Sequence, residues 1–96
     1  MIKHVVFFKF RPETSQAERK SALDELRALP DKIDMIREFE VGEDILRSPR
    51  SWDAVLVATY DDLGALEKYA RHDDHLPVVM KLQRLCDQIG SVDYEY

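Results

Sequence analysis

The sequence predicts an α+β fold with the element order β-α-β-β-α-α-β, in which helices cover one face of a four-stranded antiparallel sheet. Three observations lead to it. Two segments, "IKHVVFFKF" at the start and "AVLVATY" in the middle, are almost continuous in apolar residues, as central strands are. Two others, "MIREFEV" and the closing "IGSVDYEY", alternate apolar with polar and read as strands with one wet face. Three further stretches carry apolar residues at helical spacing. The 96 residues make one domain, 1–96, with a core of modest size.

The first strand, 2–10, sets His4, Val6, Phe8 and Phe10 on one face and Val5 and Phe7, flanked by Lys3 and Lys9, on the other. Ser15 followed by Glu18 is a capping-box pattern opening a helix to about Leu29, with Ala22, Leu23, Leu26 and Leu29 as its apolar stripe and Pro30 as its stop. In strand 35–41, Met35, Phe39 and Val41 oppose Glu38 and Glu40. The charged loop from Gly42 to Ser51 is long enough to be mobile. Strand 54–60 reads as covered on both faces.

Asp61 or Asp62 caps a helix bearing Leu63, Leu66, Tyr69 and Ala70. The last helix carries Leu76, Val79, Met80, Leu82 and Leu85. Pro77 is tolerated only in its first turn, which makes Asp74 the expected N-cap. Cys86 continues the helical pattern of Val79 and Leu82 and reads as a buried structural thiol. The last strand alternates Val92, Tyr94 and Tyr96 with a wet set, Ser91, Asp93 and Glu95.

Strands one and three, apolar on both faces, belong in the centre of the sheet. A ferredoxin-like order, 4-1-3-2, satisfies this. Helices then cover one face, and Val5, Phe7, Val55 and Val57 point to the other. A second copy of the chain is the cheapest cover, so a homodimer is expected.

The balance of 14 basic against 19 acidic residues, without a basic stripe, argues against nucleic acid or an anionic membrane as partner. The start "MIKHVVFFKFRP" has too short an apolar run for a signal peptide or a membrane span, and a lone cysteine makes no internal disulfide, so a cytoplasmic location is expected. Gly42, Gly64 and Gly90 are too widely spaced for a phosphate loop, and no nucleophile elbow or paired-carboxylate motif occurs. No cofactor is implied.

The stretch "RHDDHL", Arg71 to Leu76, raises the question of a metal. It crosses from one helix to the next, Asp74 is taken up as a cap, and no cysteine or third histidine lies close in sequence, so no specific metal site is expected. Asp73 and Asp74 have the chemistry for a weakly held hard cation at most.

"IKHVVFFKFR", "YARHDDH" and the terminal "VDYEY" together make the chain resemble the stress-responsive A/B barrel domain (Dabb) family over nearly its whole length. The resemblance implies a dimeric α+β barrel built from two ferredoxin-like subunits. It also implies, more distantly, the site of plant polyketide cyclases of the olivetolic acid type, where histidines and a tyrosine around a pocket between sheet and helices promote an intramolecular aldol closure. His4, Tyr69 and His75 match positions of that constellation. Ala54 stands where those cyclases carry a further histidine, and Asp73 stands where the family commonly has proline. Trp52 is expected to fold over an edge of the barrel, with a ligand lid as the sharper alternative.

Aldol closure needs a base to take a proton beside a carbonyl and a donor to stabilise the oxygen charge. Histidine suits the first role at neutral pH and tyrosine the second. Each residue also has a bland reading. His4 serves equally as a satisfied polar group in the core, Tyr69 as a packed ring, and His72 as an exposed side chain; His75, at a helix start, is the strongest functional candidate. Two functions follow: a non-catalytic dimeric barrel binding a small apolar or carbonyl-containing molecule, or an acid–base enzyme of the polyketide cyclase type using His4, Tyr69 and His75.

Overall fold

Alternation along the first strand decides which residues meet the helices. In the computed structural model, which describes residues 1–96, β1 (Ile2–Phe10) buries Val6, Phe8 and Phe10 on one face and leaves Val5 and Phe7 half-buried on the other. The chain continues through α1 (Gln16–Arg27), a 3-10 turn (Leu29–Asp31), β2 (Glu38–Glu43), β3 (Ala54–Tyr60), α2 (Leu63–Ala70), α3 (Leu76–Leu85) and β4 (Cys86–Glu95). The sheet order is β2-β3-β1-β4, all antiparallel, which is the expected order counted from the other edge. No helix is long and apolar enough to cross a membrane.

The Ser15 side chain accepts from the Glu18 amide while Glu18 accepts from the Ser15 amide, which satisfies two orphan donors of α1. This helix ends at Arg27, two residues short of the expected Leu29. The Ala28 amide turns to both the Asp24 and Leu26 carbonyls, and the chain tightens into the 3-10 turn that carries Pro30. Leu23, Leu26 and Leu29 still pack beneath the sheet with Leu56, Tyr60 and Leu82. Truncating Leu23, fully buried, is expected to cost about 2–5 kcal/mol.

Other boundaries shift for local reasons. β2 begins at Glu38, after Met35, and keeps Phe39 and Val41 turned inward against exposed Glu38 and Glu40. Asp62 caps α2, accepting from the Ala65 amide at 2.8 Å. Asp74 does not cap α3; His75 occupies the N-cap position. Of the first amides in that helix, Leu76 already bonds the His72 carbonyl, Pro77 has no hydrogen, and Val78 bonds the His75 carbonyl, so no donor is left for an aspartate. Cys86 is not helical: it is buried as the first residue of β4, directly after α3.

The last strand keeps its expected alternation, with Ser91, Asp93 and Glu95 exposed. Ser91 pairs with Val6 and Asp93 with His4, so this polar set lies on the face that meets the helices. Val92, Tyr94 and Tyr96, at 54%, 46% and 57% exposure, lie on the open face instead.

That open face has a continuous apolar centre. Val5 sits between Val57 and Val92, and Phe7 between Val55 and Gly90. Trp52 lies on it too, 5.9 Å from the Phe7 ring and against Gly90 of the edge strand β4, and not as a lid on the helix side. The loop before Trp52 is pinned by polar contacts. Asp53 accepts from the Phe10 amide at 2.8 Å and from Arg47 at 3.1 Å, while Asp44 accepts from the Arg47 amide at 2.7 Å. These bonds hold Arg47 in a left-handed conformation, φ 55°.

Candidate functional site

Three elements converge at one end of the sheet. β1 brings His4 inward between Ala58 and Asp93. α2 delivers Tyr69 in its last turn, 1% exposed. The chain then turns through 71–75, with the His75 amide on the His72 carbonyl at 2.9 Å, and presents His75 at the start of α3. The Tyr69 and His75 rings are 4.2 Å apart at 43°, and His4 meets Tyr69 edge-on at 6.1 Å. The three residues carried over from the resemblance thus share one end of one cleft.

Each histidine has a partner that fixes its proton. The His75 Nδ1 lies 3.0 Å from the Ala70 carbonyl, which only accepts, so Nδ1 carries the hydrogen and Nε2 keeps its lone pair. Burial holds the His75 pKa below the ordinary value, the Ala70 carbonyl opposes this, and the charges of His4 and His72 add to the lowering. His75 is therefore a neutral imidazole at pH 7. The His4 Nδ1 bonds the Asp93 carboxylate, which again leaves Nε2 as the open nitrogen. The His4 side chain is 16% exposed and Asp93 37%.

Behind Tyr69 stands Tyr60, fully buried, with ring centroids 5.1 Å apart. The two hydroxyls lie close enough to interact with each other, but neither makes a well-formed hydrogen bond. Burial pushes both far above their usual range, so each is a neutral donor and not a base.

From this end a cleft of about 570 Å3 runs between the sheet and α3. Val6, Phe8, Leu56, Val78, Leu82 and Ile89 supply apolar walls, Ser91 lies opposite Val6, and Arg11 and Gln88 are at the far end. The arrangement suits a molecule with an apolar body and an oxygen function against His4, Tyr69 and His75.

His72 stays outside the cleft. It is half-buried rather than free in solvent, because its Nδ1 accepts from the Asp74 amide at 3.1 Å within the turn. No three His, Cys, Asp or Glu side chains come together as metal ligands. Ala54, where the cyclases carry a histidine, pairs with Phe8, while Ala58 is the residue opposite His4. Four residues of strand separate them, about 13 Å, so the departure leaves the His4 end of the cleft unchanged. Burial pushes the Cys86 thiol up to about 11, an inert form.

Sequence reasoning missed Asp93 and Tyr60. Asp93 reads as a wet-face residue of the last strand; only the β1–β4 register sets it beside His4. Tyr60 closes an apolar strand and its type carries no distinguishing signal.

The family model of the stress-responsive A/B barrel domain matches residues 2–96. A stress-response A/B barrel domain-containing protein of Arabidopsis thaliana is 28% identical over 98% of this chain, which spans 36% of that relative's length. A dimeric protein of ferredoxin-like fold from Bacteroides fragilis is 31% identical, with a TM-score of 0.83 over 99% of this chain and 95% of its own. A hydroxynitrile lyase from Passiflora edulis shares the fold at 14% identity, with a TM-score of 0.87 over 97% of this chain and 90% of its own.

Proposed function

The chain belongs to the stress-responsive A/B barrel domain family, and from that premise we propose that it is a homodimeric binding protein for a small apolar molecule bearing a carbonyl or hydroxyl oxygen. The observation that carries this reading is the Tyr69 hydroxyl. Tyr69 lines the end of the cleft, its hydroxyl is buried beside Tyr60 without a well-formed hydrogen bond, and such a group is costly unless something pairs with it, about 1–3 kcal/mol. A ligand oxygen is the natural acceptor, with the Nε2 lone pairs of His4 and His75 open to a ligand hydroxyl. The dimer is supported by the apolar open face around Val5, Phe7, Val55 and Val57 and by the dimeric Bacteroides fragilis relative.

The test is thermal-shift screening against small ketones, aldehydes and alcohols, followed by calorimetry on the best binder. Binding that falls on His75→Ala and not on His72→Ala supports the proposal. Equal losses in both variants, or no binder with an apolar body, count against it.

One observation favours a second reading, acid–base catalysis of the polyketide cyclase type. Asp93 accepts from His4 Nδ1 and so orients the ring with Nε2 free, as a carboxylate behind a general base does. His4 would then take the proton beside the carbonyl, Tyr69 would donate to the developing oxyanion, and His75 would orient the substrate.

A further inference from the structure

The cleft has a second polar end that the proposed binding reading does not use. α3 runs along it from His75, and Gln83 lies about 12 Å further along at a rise of roughly 1.5 Å per residue. β1 covers about 23 Å between His4 and Arg11. Arg11, Gln83, Asp87 and Gln88 meet at this distant end.

Arg11 is fixed there. Its Nε donates to the Arg84 carbonyl and its guanidinium to Asp87 Oδ1, both at 3.2 Å, which occupies two of five N–H groups. The Gln83 and Gln88 side chains are exposed and make no hydrogen bond within the protein.

A protein of net charge −5 gathers Arg11, Arg19 and Arg84 where β1, α1 and α3 converge. Arg19 lies over the Phe10 ring at 5.1 Å, and neither Arg19 nor Arg84 has an ion-pair partner. Three carboxylates oppose them, of which Asp53 accepts from the Phe10 amide and from Arg47. Glu18 is occupied by the Ser15 amide, and Asp87 is 44% exposed on its side chain and paired only with Arg11.

We infer that the cleft takes an elongated, two-ended ligand whose far end is an anionic group, carboxylate or phosphate, bound at Arg11 beside Gln83. The inference rests on the binding reading above and narrows its ligand class to an apolar chain with an oxygen function at one end and an anion at the other. An anion reaches the free N–H groups of Arg11 and stands in for Asp87, while the amide of Gln83 supplies a neutral donor.

The test is calorimetry on the full chain with ω-hydroxydodecanoate, its methyl ester and ω-hydroxydodecyl phosphate. The carboxylate, the phosphate or both should bind at least about tenfold more tightly than the ester, the advantage shrinking with added salt. Whichever anion is favoured identifies the source of the charge. Arg11→Gln should abolish the advantage and leave the ester's affinity unchanged. Asp87→Asn should tighten the anions severalfold and not the ester, a gain that misfolding does not mimic. An ester that binds as tightly as both anions, or an Arg11→Gln variant that weakens all three alike, overturns the inference and leaves the binding reading standing. If none of the three binds while a short ketone does, the far end is not a ligand site; if nothing binds, both readings fall.

Discussion

The His4 imidazole is bonded through Nδ1 to the Asp93 carboxylate across adjacent strands, though the two residues lie at opposite ends of the chain. The antiparallel register of β1 and β4 alone brings them together. A carboxylate at Nδ1 fixes the tautomer with a free Nε2.

If the pocket performs acid–base chemistry, that pair is where it fails first. Wild-type protein in heavy water should speed deuterium exchange at the carbon beside the carbonyl of a bound ketone, followed by NMR. Asp93→Asn should slow the exchange by about a hundredfold with little change in affinity. Exchange no faster than in buffer would leave binding as the whole function.

The two histidines of the turn 71–75 are expected to behave differently. His75→Ala should weaken ligand binding by about 1–3 kcal/mol, because a buried ligand oxygen loses its partner. His72→Ala should change affinity little, since His72 serves only its own turn through the Asp74 amide. Titration calorimetry on both variants checks this.

His75 also gives stability a pH dependence with a definite sign. Its pKa in the folded protein lies below the ordinary value of 6.5, so the unfolded chain binds more protons near that pH. The contribution of His75 is fully present above pH 6.5 and is lost as the pH falls through that value toward the folded pKa. His75→Gln should flatten the fall in melting temperature between neutral and mildly acidic pH. An unchanged slope would locate the acid sensitivity elsewhere.

Assembly is open to a direct test on the sheet's open face. Val57→Glu places a carboxylate beside Val5 in its centre and should convert the dimer to a monomer by light scattering. Trp52, the sole tryptophan, lies on the same face against Phe7, so its emission should shift to the red in that variant. A wild-type chain that is already monomeric at micromolar concentration contradicts the dimer.

Metal removal should have no effect. The turn 71–75 is held by its own backbone and by His72, so the melting temperature should be unchanged by EDTA. A drop of several degrees, reversed by one divalent ion, would put a metal in the site.

Much of this fold was legible in the sequence because its strands announce their burial. "AVLVATY" and "IKHVVFFKF" are apolar on both faces and had to be central, and that fixed the order of the sheet. The capping box at Ser15 and the cap at Asp62 were readable because they rest on local chemistry. What was not legible depended on partners distant in sequence. Asp93 looks like any other wet-face residue until its register with His4 is known, and the Asp74 cap failed because the turn's backbone had already used the amides. Trp52 gave no hint of which face it would cover, since side chains in loops follow no period.

The central claim is that the Tyr69 hydroxyl is held for a ligand, and Tyr69→Phe tests it most directly when stability and binding are measured on the same protein. Removing a buried hydroxyl that makes no well-formed hydrogen bond in the protein should leave the melting temperature unchanged or raise it, while affinity for the oxygen-bearing ligand falls by about tenfold or more. Tyr60→Phe should match it in stability and keep full affinity. A Tyr69→Phe variant that loses stability and binds the ligand as well as wild type would contradict the account, because the hydroxyl would then serve the fold and not the cleft.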